Sequence, residues 1–132
     1  MRATTLLFGL FLATAGEIIH AEAKSAVSEL DGYAIFTDLS KADASKKARQ
    51  MATADFARHV YRIFVVGKRP ATSAYDEYLK ERYGVLMTPI AGCIISDGIE
   101  GAQEGYNSTM KPLLNRKFGR DIFKEAEQAS RK

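Results

Sequence analysis

The sequence predicts a small α/β or α+β domain, with about three helices and a short terminal helix packed on a two- to three-stranded sheet. Three observations carry this expectation. Apolar residues recur at helical spacing over 41–59 and again from Ile99 to Phe118. Runs rich in β-branched and aromatic residues interrupt that pattern at 61–66 and 85–95. Strand, helix and strand between 61 and 95 have the spacing of a βαβ unit, which would make the two strands parallel.

The first 23 residues stand apart from this domain. Met1-Arg2 is a short basic start, residues 6–13 are apolar, and Ala21-Glu22-Ala23 is the small-x-small pattern read by a signal peptidase. The apolar run, about 10 residues, is too short to cross a bilayer core of ~30 Å as a helix. The expectation is a signal peptide at 1–23 and one globular domain at 24–132, exported to the periplasm or the medium. The chain has 19 Lys+Arg and 16 Asp+Glu, and cleavage removes Arg2, Glu17 and Glu22, so the net charge moves from +3 to +4. That charge is dispersed and does not indicate a nucleic-acid binder. Cys93 is the lone cysteine, so an exported monomer has no internal disulfide and relies on its core, which fits a bacterial setting.

The elements follow in order. Asp31-Gly32 marks a turn, and residues 33–37 read as a short first strand. Ser40 caps a helix over 41–59 whose stripe is Ala44, Ala48, Met51, Ala52, Phe56 and His59. Asp55 also falls on that stripe, where it could pair with His59 one turn later. Residues 61–66 read as a strand ending at Gly67, with a continued helix as the alternative. Thr72 or Ser73 caps a second helix running to Arg82 or Tyr83, closed by Gly84. Pro89 argues against one unbroken strand over 85–95, so the second strand is expected at 91–95 after a bend. Asp97 with Glu100 has the spacing of a capping box and starts a long helix. Pro112 should kink or split that helix near 107–109, Gly119 should end it, and Asp121 should cap a last helix carrying Ile122, Phe123 and Ala126.

Candidate chemistry is sparse. A thiol enzyme would use Cys93 with His59 as base and Asp55 as the group orienting the imidazole. Against this, Cys93 sits among Ala91, Gly92, Ile94 and Ile95, which reads as a buried, inert thiol, and His59 reads as a core or boundary residue. One Cys and one His in the domain are too few for a structural zinc site, and no cofactor or metal is expected. Lys68, Arg69, Thr72 and Ser73 lie between a strand and a helix start, where they could hold a small anion; a basic surface connection is the competing reading. Tyr75, Tyr78, Tyr83 and Tyr106 form either part of the core or an exposed interaction patch with Asn107.

Gly92-Cys93-Ile94-Ile95, Gly105-Tyr106-Asn107 and the run from Lys117 to Phe123 resemble the C-terminal part of small exported bacterial proteins that carry no assigned function, over about residues 80–125. The resemblance implies a cell-envelope setting and no particular chemistry. It also implies that Gly105 permits close helix packing and that Asn107 bonds near the Pro112 kink.

The leading expectation is a non-enzymatic exported module, acting as a binding, accessory or inhibitor protein on another envelope or secreted protein. It is expected to use no nucleic acid and no membrane span. The alternatives are a small thiol-dependent enzyme at Cys93 and His59, or a small-anion binder at Lys68 and Arg69.

Overall fold

The computed structural model describes residues 33–67, 69 and 73–132. The expected signal peptide, the 24–32 lead-in, Lys68 and Thr72 lie outside the described residues. Among the described residues the fold is α+β, with four α-helices and a two-stranded parallel sheet: α1 (Lys41–Ala57), β1 (Arg62–Val66), α2 (Ala74–Tyr83), β2 (Leu86–Ala91), α3 (Asp97–Phe118) and α4 (Ile122–Ser130).

Ser40 starts α1 by accepting the Asp43 N–H. Of the stripe read from the sequence, Ala44, Ala48 and Ala52 are fully buried and Met51 and Phe56 partly so, whereas His59 is exposed beyond the end of the helix. On α3, Gly101 lies against the Lys41 backbone and Gly105 against that of Ser45, while Gly98 lies against Phe36 and Leu39 just before α1. Small side chains on both helices let the backbones approach closely. A Cβ on Gly105 would lie 2.3 Å from the Ser45 carbonyl oxygen.

The sheet is the parallel βαβ pair that the spacing predicts, with Arg62 opposite Leu86 and an irregularity at Val65/Val66. Phe64 points from β1 onto α3 and stacks on Tyr106 at 3.7 Å between ring centroids. Tyr61 O accepts from Leu86 N, and Gly67 N donates to Ala91 O. Alternation along the strand therefore turns the polar backbone of Phe64 away from β2. There the side chain of Asn107 receives it: Oδ1 accepts from Phe64 N at 2.8 Å and Nδ2 donates to Phe64 O at 2.8 Å. An amide on α3 thus does for β1 what a further strand would do. Asn107 does not bond near Pro112, as the resemblance implied.

Four local expectations are corrected. Residues 33–37 are not a strand: Ala34–Phe36 is a 3-10 turn, and Tyr33 and Phe36, three apart, are both buried. The second strand is β2, not 91–95. It contains Pro89, because the same alternation puts the position of its missing N–H on the edge away from β1. Ser96, not Asp97, caps α3, accepting the Ile99 N–H and leaving Asp97 and Glu100 in the first turn. α3 is not split at 107–109, for Pro112 sits on its exposed side, where water can satisfy the carbonyl freed one turn earlier.

Candidate interaction surface

Asp55 is a buried carboxylate in the core, and its partners decide what several candidate residues do. Its Oδ1 accepts from Arg58 Nη2 at 2.6 Å, and its Oδ2 accepts from Arg62 Nη2 at 2.6 Å and from the Tyr106 hydroxyl at 2.7 Å. Arg62 Nη1 also donates to the Tyr33 hydroxyl at 3.0 Å. Burial, and then the bond to Asp55, push the Tyr106 hydroxyl well above the ordinary tyrosine pKa. Burial works against the Arg62 charge, but its interactions with Asp55, Tyr33 and Tyr106 together outweigh burial and the guanidinium pKa is raised. The expected Asp55–His59 pairing does not form. α1 ends at Ala57, and His59 takes a left-handed φ of 61° that carries it out of the helical register. Its Nδ1 lies 3.0 Å from the Tyr61 hydroxyl instead.

Cys93 and His59 lie at opposite ends of the sheet. His59 precedes β1 and Cys93 follows β2, and the two strands run parallel. At ~3.3 Å per residue the paired strands hold their backbones roughly 15 Å apart, so no Cys93–His59 pair can assemble. Both are exposed, which corrects the reading of a buried thiol and a core or boundary histidine. The reason is the placement of β2: it stops at Ala91, so Gly92 and Cys93 fall in a turn. Cys93 borders an open apolar groove of about 470 Å³ lined by Tyr33, Ala34, Ile90, Ile94 and Ile99.

The described members of the predicted anion site, Arg69 and Ser73, both have partners within the chain. Ser73 Oγ accepts the Asp76 N–H, so it closes the start of α2. Arg69 Nη2 bonds Asp76 Oδ1 at 3.1 Å. Asp76 and Glu77 in the first turn make that helix start repel an anion. Among the described residues no His, Cys, Asp or Glu side chains gather in a group that could hold a metal ion.

The tyrosines divide. Tyr106 is wholly internal, and Asn107 is committed to β1. Tyr75, half-buried, lines a separate shallow hollow with Lys111, Phe123 and Glu127. Tyr78 and Tyr83 both donate to Glu125 Oε1, at 2.5 and 2.8 Å, and fix α4 against α2. These two hydrogen bonds, the Tyr78 bond first, hold the Glu125 carboxyl below its ordinary pKa.

Tyr78 and Tyr83 also belong to a larger feature. Half-buried rings form a continuous ribbon: Phe56 to Tyr61 at 5.7 Å, Tyr61 to Phe118 at 6.5 Å, Phe118 to Tyr83 at 4.8 Å and Tyr83 to Tyr78 at 6.4 Å. Cations lie along it. Lys117 Nζ stands 5.6 Å from the Tyr61 centroid and 5.8 Å from that of Phe118, and the Arg82 guanidinium 5.8 Å from that of Tyr78. Arg58, His59 and Arg120 are exposed beside them. The topology gathers these groups. α1 and α2 each end just before a parallel strand, and α3 runs back antiparallel to both strands, so three helix C-termini meet at one end of the sheet. Basic residues there complement the negative ends of the helices.

No known protein family, curated protein or solved structure matches this chain. The geometry of the ribbon is therefore the basis for reading its role. A set of rigid, half-buried aromatic rings edged by exposed arginine and lysine resembles the anchors that carry binding energy at protein interfaces. The sequence reading missed Phe56, Arg58, Tyr61, Lys117, Phe118 and Arg120. One signal could have found them: in a βαβ unit the residues leading into parallel strands share an end, so Tyr61 and Tyr83 had to be neighbours.

Proposed function

We propose that this protein is an exported, non-enzymatic module that binds another envelope or secreted protein through the aromatic ribbon at the C-terminal ends of α1, α2 and α3. The observation that carries the reading is the ribbon itself: five half-buried rings from three helices and a strand lead-in, edged by Arg58, Arg82, Lys117 and Arg120. Export is supported by the basic, apolar and small-x-small order of residues 1–23 and by the resemblance over residues 80–125.

The test is a paired capture. Tagged wild-type protein and a Lys117→Glu/Arg120→Glu variant, both expressed with the native leader, are recovered from the envelope and medium of the native cell. A protein retained by the wild type and absent from the variant supports the reading. Identical captured sets from the two proteins contradict it.

A further inference from the structure

We infer that the surface recognised by the ribbon is a carboxylate-rich segment of a partner protein; this rests on the binding function proposed above and specifies its chemistry. The charge arrangement carries the inference. Glu125, beside the ribbon, is shared between Arg82 and Arg120, at 3.4 Å to each, and the exposed Arg58 contacts the buried Asp55 at 2.6 Å. Two arginines against one carboxylate leave the Glu125 group with a cation in excess, and Lys117 adds another, resting on two rings. The exposed guanidinium groups of Arg58, Arg82 and Arg120 keep N–H donors for a further acceptor, and a guanidinium fork fits a carboxylate.

Two other polyanions fit less well. Single-stranded nucleic acid binds by stacking its bases on open ring faces, whereas Lys117 lies over Tyr61 and Phe118 and Arg82 lies over Tyr78. An anionic lipid surface takes apolar side chains that protrude into the headgroups. The ribbon rings are instead half-buried, and Ile94, exposed to 89 %, stands at the far end of the sheet.

The experiment is an amide NMR titration of the mature chain at an ionic strength of about 0.15 M, where dispersed surface charge is largely screened. The probes are a polyglutamate peptide, phosphatidylglycerol vesicles and oligothymidylate. Polyglutamate should shift the amides of residues 58–61, 82–83 and 116–120, and Lys117→Glu/Arg120→Glu should weaken it by about tenfold or more. Lys46→Glu/Lys47→Glu, on the exposed side of α1, serves as the charge control and should weaken it far less. Three results overturn the inference: no shift at the ribbon, tighter binding of vesicles or oligothymidylate, or an equal loss in the α1 control. Ribbon-dependent capture without a polyglutamate response would remove the acidic chemistry and leave the binding function standing. Failure of both experiments would remove both.

Discussion

The side chain of Asn107 holds both polar backbone groups of Phe64, at 2.8 Å in each direction. A carboxamide fits this place because it offers one acceptor and one donor, side by side. Asn107→Ala leaves Phe64 N without this acceptor and Phe64 O with Gln103 Nε2, at 3.3 Å, and should cost about 1–3 kcal/mol in urea denaturation. Asn107→Asp should cost at least as much, since it sets a carboxylate oxygen against the Phe64 carbonyl. Two variants of wild-type stability would contradict this account of the β1 edge.

Asp55 ties α1, β1 and α3 together through Arg62 and Tyr106. Asp55→Asn leaves the guanidinium of Arg62, whose side chain is 14 % exposed, facing a neutral amide. Removing one member of a buried ion pair costs about 3–5 kcal/mol, and the loss should appear as a lower denaturation midpoint. Because the network is structural, Tyr106→Phe should also destabilise, by a smaller amount. A loss below about 1 kcal/mol for Asp55→Asn would sink this reading.

The α1–α3 contact predicts a steric result. Gly105→Ala places a methyl group 2.3 Å from the Ser45 carbonyl oxygen, which is backbone and cannot swing away. Overpacking of this kind costs about 1–3 kcal/mol, enough to lower Tm by several degrees. Ser45→Ala should not rescue it. An alanine variant as stable as wild type would show that the helices can slide apart at no cost.

Glu125 predicts acid sensitivity at the α2–α4 contact. Its folded pKa lies below the ordinary value of 4.5, with the Tyr78 hydrogen bond the largest cause. A depressed carboxyl contributes stability that is complete above pH 4.5 and is lost as pH falls through the lower folded value. Thermal melts of the wild type should therefore fall below pH 4.5, and Glu125→Gln should fall less over the same range. Parallel curves for the two proteins would contradict the assignment.

Much of the fold was legible because it is written in local periodicity and capping chemistry. The alanine stripe of α1, Ser73 and Gly84 at the ends of α2, and Asp121 at the start of α4 are all where the sequence places them. The two proline readings failed for one physical cause, which side of an element faces water. Prolines break strands and helices in general, but Pro89 has its missing N–H on an open strand edge and Pro112 lies on a solvated helix face. Cys93 was read as buried because its neighbours are apolar, yet β2 had already ended at Ala91. The ribbon was half legible. Tyr78 and Tyr83 stood out as tyrosines, but their joining with Tyr61 and Phe118 depends on three helices ending together, which no single segment encodes.

Photo-crosslinking in the native cell tests the binding claim most directly. A photoreactive residue replaces Lys117 beside the rings in one variant, and Lys46 on the exposed side of α1 in another. The account predicts a discrete protein adduct from position 117 that is missing from position 46. The same adducts from both positions, or none from 117, would contradict it.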